Sequence, residues 1–122
     1  MSDLNISQRQ SGNVTILDLG GKIALGESNR ALHDAIRALT GDGSKNILLN
    51  LANVTLIDSS GLGELVASYA SVERSGGSMK LANLSDRFIE LITITKLYTV
   101  FYVFENEADA LASFGAASEA SA

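Results

Sequence analysis

Two periodicities of apolar and polar residues run along this chain, and together they predict nine elements in the order β-β-α-β-α-β-α-β-α. Short runs rich in β-branched and apolar residues are typical of strands, whereas apolar residues spaced three or four apart are typical of amphipathic helices. The strands are predicted at residues 4–10, 14–19, 46–51, 79–82 and 100–104. The first two helices are predicted at residues 27–39 and 61–75, and two more follow the fourth and fifth strands.

Breaks in these runs predict where the strands end. The second strand is expected to stop at Gly20-Gly21. The pair Ala52-Asn53 is expected to turn the chain after the third strand, before residues 54–57 continue. The third strand, residues 46–51, is almost continuously apolar, which is typical of a central strand covered by helices on both faces.

Strands alternating with helices after an initial hairpin predict an α/β protein with a single mixed β-sheet. We expect about four to five strands, the hairpin followed by β-α units, and about four helices packed against the sheet. Residues 1–114 are expected to form one domain. Residues 115–122 are small or polar and are expected to form a disordered tail.

The helical periodicity also predicts which side chains face the sheet. The first helix is predicted to bury Leu32, Ala35, Ile36 and Leu39. The second is predicted to bury Leu62, Leu65, Val66, Tyr69 and Val72, with Glu64 and Ser68 facing outward. The last is predicted to bury Ala108, Leu111, Ala112 and Phe114. Ser85 or Asn83 is expected to cap the third helix and Asn106 the last.

Composition excludes several classes of function. The chain has 122 residues, no cysteine and a formal net charge of −5, and its nine basic residues are scattered. Disulfides, thiol nucleophiles and cysteine metal sites are therefore excluded, and neither nucleic acid nor anionic lipid is expected as a main ligand. A basic protein surface is the more natural partner. With no signal peptide and no apolar run of about 20 residues, we expect a cytoplasmic protein without membrane insertion.

The most distinctive stretch is residues 57–63, where an apolar strand ends and a helical pattern begins. An acid, Asp58, is followed by two hydroxyls, Ser59 and Ser60, and then by Gly61-Leu62-Gly63. The serines lie where a helix presents N–H groups that have no partner within the helix. We expect one serine, more naturally Ser60, to cap the helix, and Asp58 to accept hydrogen bonds from nearby N–H groups or from a serine hydroxyl.

Three enzymatic or ligand-binding interpretations of this stretch fail on their patterns. The nucleophile-elbow sequence G-x-S-x-G lacks its first glycine, and the one histidine, His33, lies on the polar side of a predicted helix. Gly61-Leu62-Gly63 lacks the lysine of a phosphate-binding loop, and Val66 breaks the dinucleotide pattern. Asp58 and Glu64 have no third ligand for a metal. We therefore expect no catalytic residue, no cofactor and no metal.

The two glycines have two compatible explanations. One is close packing at the strand-to-helix turn. The other is that missing side chains let a partner reach the backbone and the serines. Capping alone would not need an acid, two serines and two glycines in succession.

The run I-D-S-S-G-L-G at residues 57–63 resembles the signature of STAS domains, specifically the bacterial anti-sigma factor antagonists. The resemblance covers roughly residues 4–114 and includes Gly20-Gly21-Lys22-Ile23, residues 47–51, Gly76-Gly77 and residues 101–104. It implies the STAS fold and a role in transcription regulation by partner switching.

The resemblance further implies that the protein binds an anti-sigma factor that is itself a serine kinase. The kinase would phosphorylate Ser59 and so dissolve the complex, and a phosphoserine phosphatase would reset it. This protein would be the substrate and have no catalytic role. The implied partner-binding residues are Lys22, Asp58, Ser59, Ser60, Gly61, Leu62 and Gly63.

The chain departs from the family before its first helix, where lysine and alanine replace the acids of a G-E-x-D pattern at Lys22 and Ala24. Lys22 would contact either a different partner surface or a phosphate on Ser59, and both interpretations stay open. Two other functions also stay open. One is a constitutive STAS scaffold or accessory subunit of a signalling or lipid-transport complex, and the other is a nucleotide- or lipid-binding domain.

Overall fold

In the computed structural model, five strands form one mixed sheet in the order β1-β2-β3-β4-β5, and the structure describes residues 4–24 and 26–121, with side chains to residue 114. The strands are Leu4–Ser11 (β1), Val14–Ile23 (β2), Asn46–Ile57 (β3), Ser78–Ala82 (β4) and Tyr102–Phe104 (β5). The helices are Glu27–Gly41 (α1), Ser59–Arg74 (α2), Asp86–Thr95 (α3) and Glu107–Ser121 (α4), with a 3-10 helix at Leu97–Thr99. β1 pairs antiparallel with β2 and the other neighbours are parallel. The predicted α/β class and hairpin are confirmed.

The central strand β3 divides the core into two clusters, as its apolar sequence predicted. Ile47 and Leu49 face the larger cluster, which is built with α1, α2 and α3, whereas Leu48 faces a smaller cluster beneath α4. All three side chains are fully buried. A central strand of this kind has no polar face, because helices cover both sides of the sheet.

Two predicted strand ends are wrong, since β2 and β3 continue as a pair to the same edge of the sheet. β2 runs through Gly20-Gly21 to Ile23, and β3 runs through Ala52-Asn53 to Ile57. Their register shifts between Asp18 and Gly20, and again between Gly21 and Lys22. Turn-forming residues here produce bulges instead of turns, because continued pairing keeps the backbone groups of both strands bonded.

The prediction of the buried face of α4 is also wrong in part. Phe114 is buried and Leu111 is half-buried as predicted, but Ala110 is buried in place of Ala108 and Ala112. Three alanines at alternate positions favour no single helical face. The register is set by Asn106, which caps the helix by accepting a hydrogen bond from the Asp109 N–H at 2.8 Å, as predicted.

Ser68 on α2 faces inward, contrary to its predicted exposure. Its hydroxyl donates a hydrogen bond of 3.1 Å to Glu64 Oε2 one turn earlier. A buried hydroxyl is tolerated when it is bonded in this way. At the start of α3, the Phe88 N–H donates to Ser85 Oγ at 3.2 Å, so Ser85 is the cap there and Asn83 is not.

Polar side chains hold α4 across the second face of the sheet. Arg9 on β1 pairs with Asp18 at 2.5 Å and with Glu107 at 2.6 Å, and the bond to Arg9 holds the pKa of Asp18 below its usual value. Lys80 donates to Ser113 Oγ at 2.7 Å, and burial lowers the pKa of Lys80. These contacts join the first strand to the last helix.

The fifth strand is shorter than predicted. β5 begins at Tyr102, later than predicted, because the 3-10 helix occupies the chain before it and Phe101 is buried outside the strand.

The backbone of α4 continues to Ser121, while side chains from residue 115 on and all of Ala122 lie outside the described residues. The division into residues 1–114 and 115–122 therefore stays a prediction. No helix in the described part of the chain has the length and apolarity that crossing a bilayer requires.

Candidate functional site

The stretch from Asp58 to Gly63 lies at the sheet edge where β2 and β3 both end. Ile23 and Ile57 are paired there, and the Asp58 N–H donates to the Ile23 carbonyl at 3.3 Å. Helix α2 starts immediately, at Ser59 and not at Gly61 as predicted. This edge holds the carboxyl ends of parallel strands, where open α/β sheets bind their ligands.

Asp58 is the N-cap of α2. Its Oδ1 accepts two hydrogen bonds of 2.7 Å, one from the Gly61 N–H and one from the Ser60 hydroxyl. Both kinds of bond to Asp58 were predicted and are confirmed. The prediction that Ser60 is the more natural cap is wrong, because the carboxylate one residue before the helix reaches the N–H groups of the first turn directly.

Ser59 is the first residue of α2, and its side chain is exposed. Among the described residues, its hydroxyl makes no hydrogen bond and no ion pair. The Ser60 hydroxyl, by contrast, both donates to Asp58 and accepts from Asn29. The turn therefore offers one unbonded hydroxyl to solvent, and it belongs to Ser59.

Gly61 and Gly63 are surrounded differently, and each fits one of the two explanations that the sequence left open. Gly61 is buried against β2, and a Cβ atom there would overlap the backbone carbonyl of Ile23. Gly63 is exposed, and a Cβ atom added there would meet nothing within 4 Å. Close packing explains Gly61, whereas Gly63 leaves the surface beside Ser59 open.

Leu62 and Lys22 were also predicted to contact a partner. Leu62 is buried in the larger core cluster, so its main contacts are within the protein. Lys22 is exposed near the end of β2, opposite Leu56 in the paired register. Leu62 lies within the turn and Lys22 lies beside it at the same sheet edge, and their role in partner binding stays a prediction.

Asn29 on α1 belongs to the site, and sequence patterns gave no sign of it. Its Nδ2 donates to Ser60 Oγ at 3.2 Å, across 31 positions in the chain. Its Oδ1 is buried and has no hydrogen-bond partner among the described residues. Only the packing of α1 beside α2 brings Asn29 to the turn, where it extends the chain of bonds through Ser60 to Asp58.

His33 is not bonded to any described serine that it could activate as a nucleophile. His33 is half-exposed on α1, and its Nδ1 lies 3.4 Å from Glu64 Oε2 on α2. No described hydrogen bond joins His33 to a serine. The arrangement therefore lacks the serine–base contact that a hydrolase of this type would need.

Comparisons with known proteins show which family this chain resembles. The family model of the STAS domain matches residues 5–110. The chain is 34% identical over 95 residues to the anti-sigma-B factor antagonist of Bacillus subtilis, covering 78% of this chain and 85% of that protein. It is 26% identical to the anti-sigma F factor antagonist of Paenibacillus polymyxa, covering 89% and 93% respectively.

Solved structures show the same fold at lower identity. An anti-sigma factor antagonist from Mycobacterium paratuberculosis superposes with a TM-score of 0.77 at 22% identity, covering 90% of this chain and 92% of that one. The Bacillus antagonist SpoIIAA in its phosphorylated form gives a TM-score of 0.69 at 17% identity, covering 90% and 99%. With its sheet order, its D-S-S-G turn and these relatives, the chain belongs to the STAS domain family, among the anti-sigma factor antagonists.

Proposed function

We propose that this protein binds an anti-sigma factor through the turn at residues 58–63 and that phosphorylation of Ser59 dissolves the complex. The partner is an anti-sigma factor with serine kinase activity, and a phosphoserine phosphatase restores the binding form. The observation that carries this proposal is the unbonded, exposed hydroxyl of Ser59 beside the bonded hydroxyl of Ser60. The protein is the substrate of the kinase and supplies no catalytic group.

The helix start can accept a phosphate without unfolding. A phosphoserine carries about −1.5 to −2 charges and three acceptor oxygens. At the first position of α2 these lie beside the N-terminal N–H groups, where the helix dipole favours an anion by roughly 0.3–2 kcal/mol. The Asp58 cap bonds to Gly61 and Ser60, so it does not depend on the Ser59 hydroxyl.

The same phosphate opposes binding. It lies next to Asp58 in sequence, and a partner covering the turn would have to desolvate both charges. Like charges and unpaired buried charges in an interface cost several kcal/mol, which corresponds to a hundredfold or larger loss of affinity. Phosphorylation is therefore expected to change partner binding far more than folding. SpoIIAA, which shares the fold, has been solved in both phosphorylated and unphosphorylated forms.

The test uses the purified protein, a candidate anti-sigma kinase and ATP, with the site located by mass spectrometry. Wild type is expected to gain one phosphate on Ser59, and Ser59→Ala is expected to gain none. Ser60→Ala is the matched control, because it removes the neighbouring hydroxyl and leaves Ser59 in place. Phosphorylation of Ser59→Ala at the wild-type rate would refute the assignment.

A binding measurement separates a switch from a constitutive scaffold or accessory subunit. The fold by itself does not decide between them, since an anion transporter, murine Slc26a9, contains a similar region that is 18% of its chain. Ser59→Asp is expected to lose affinity for the anti-sigma factor at least tenfold while its melting temperature stays within a few degrees. Equal binding by Ser59→Asp, Ser59→Ala and wild type would favour the scaffold.

A further inference from the structure

A concave surface lies between α1 and α2, towards their C-terminal ends and away from Ser59. It is an open groove of about 580 Å³, more exposed to solvent than enclosed. Ala67 at its upper end is eight residues along α2 from Ser59, which corresponds to about 12 Å at the helical rise of ~1.5 Å per residue.

Two stripes of side chains at helical spacing form the walls. His33, Arg37 and Gly41 recur every four residues on α1. On α2 the facing stripe begins with Ala67 and continues through Ser71 and Arg74. Residues three or four apart share one face of a helix, so each stripe presents its side chains to the other. The small residues among them leave the space between the helices open.

The walls carry unpaired positive charge. Arg37 and Arg74 both line the cavity, and within the described residues neither guanidinium makes a hydrogen bond or an ion pair. No lining residue is acidic. Arg9, by comparison, is held by two carboxylates on the far side of the sheet.

No acid of α1 or α2 lines the groove, but two lie near it: Asp34 is exposed three residues before Arg37, and Glu64 contacts the lining residue His33. Glu64 contacts His33 and accepts from Ser68, and Asp42 accepts the N–H and hydroxyl of Ser44. Glu73 lies beside Tyr69, whose pKa is raised by burial and by that carboxylate. In a protein with a net charge of −5, this groove is therefore lined by two guanidinium groups that make no ion pair within the described residues, and by no carboxylate.

Of the three hydroxyls that line the groove, one makes no hydrogen bond within the described residues. Thr40 donates to the Arg37 carbonyl at 3.1 Å, and Ser75 donates to the Val72 carbonyl at 2.7 Å. The Ser71 hydroxyl, on the α2 wall three residues before Arg74, has no hydrogen bond among the described residues. It can donate to a ligand oxygen together with the guanidinium N–H groups.

We propose that this groove binds a small molecule carrying two or more phosphate or carboxylate groups. Guanidinium groups bind such oxyanions through paired, charge-assisted hydrogen bonds, which are shorter and stronger than neutral ones. Ser71 supplies a further donor. The proposal does not depend on the phosphorylation of Ser59, because the groove occupies the opposite end of the helix pair.

The test is a titration of the whole protein with pyrophosphate, and separately with citrate, at low ionic strength, followed by backbone amide NMR shifts. Shifts are expected along residues 33–41 and 67–75. Arg37→Gln and Arg74→Gln are each expected to weaken binding roughly tenfold or more. Arg30→Gln is the matched control, since Arg30 is exposed on the same helix but does not line the groove.

Three outcomes would overturn the proposal. One is that neither pyrophosphate nor citrate shifts the backbone amide signals. Another is equal weakening in all three variants, which would show a general effect of charge. The third is a shift pattern centred on residues 58–63, which would place the anion at the start of α2. Retention of the wild-type melting temperature in the arginine variants shows that lost binding is not lost folding.

Discussion

Helices α1 and α2 begin at the same edge of the sheet, yet they begin in different ways. The start of α2 is capped by a side chain, since Asp58 accepts hydrogen bonds from the Gly61 N–H and the Ser60 hydroxyl. The start of α1 depends on a backbone conformation instead, since its N-cap residue Gly26 has φ 101° and no side chain caps the helix. Ser28 supports that start from inside the helix, donating to the Ala24 carbonyl at 2.8 Å.

The difference bears on the proposed phosphorylation of Ser59. At α2 the capping bonds are made by Asp58 and Ser60, which leaves the Ser59 hydroxyl unbonded in a fixed place. At α1 no hydroxyl is presented, and the acid Glu27 occupies the first turn. The first turn of α2 contains no acid, so a phosphate on Ser59 would share the helix N-terminus with the Asp58 cap alone.

The largest effect is expected from Gly61→Ala. The added Cβ overlaps the Ile23 carbonyl, and the backbone of β2 must shift to admit it. We expect a loss of about 2–4 kcal/mol in the free energy of unfolding, measured by denaturant titration. Gly63→Ala is the control in the same helix, and its open surroundings predict a gain of up to about 1 kcal/mol from helix propensity. Equal stability of the two variants would contradict the close contact.

The α1 start is tested by Gly26→Ala. Nothing crowds a Cβ there, but φ 101° strains any residue that has one. We expect a loss of about 1–3 kcal/mol, measured as before. Gly41→Ala, at the other end of α1 with no positive φ, is expected to leave stability unchanged or slightly higher. A neutral Gly26→Ala would mean that the helix can start without that backbone conformation.

The α2 cap is tested by Asp58→Ala, which removes both acceptor bonds at once. We expect a loss of about 1–2 kcal/mol in the free energy of unfolding. Asp58→Asn keeps an acceptor oxygen for the Gly61 N–H and should lose distinctly less. If the alanine and asparagine variants unfold at the same denaturant concentration, the cap bond contributes nothing measurable.

The smallest effect is expected from Asn29→Ala. The variant loses the bond from Nδ2 to Ser60, worth about 0.5–1.5 kcal/mol. It also removes a buried Oδ1 that has no described partner, and that removal offsets part of the loss. The net change should be under about 1 kcal/mol. A loss above 2 kcal/mol would show that Asn29 is an essential link between α1 and α2.

Local patterns were sufficient for the element order and the central strand. The apolar run at residues 46–51 predicted burial on both faces, and Ile47, Leu48 and Leu49 are indeed fully buried. Local patterns failed at Gly20-Gly21 and Ala52-Asn53, where pairing between β2 and β3 continues through residues that favour turns. Strand pairing is a non-local interaction, so a local pattern cannot contain it.

The sequence by itself determined that an acid and two serines stand at the start of a helix, because that chemistry is local to residues 57–63. Only the tertiary structure decided which hydroxyl is unbonded, why Gly61 is a glycine and how Asn29 joins the site. The reason is distance along the chain. Gly61 meets Ile23, and Ser60 meets Asn29, across separations that only the packing of α1 and α2 on one sheet closes.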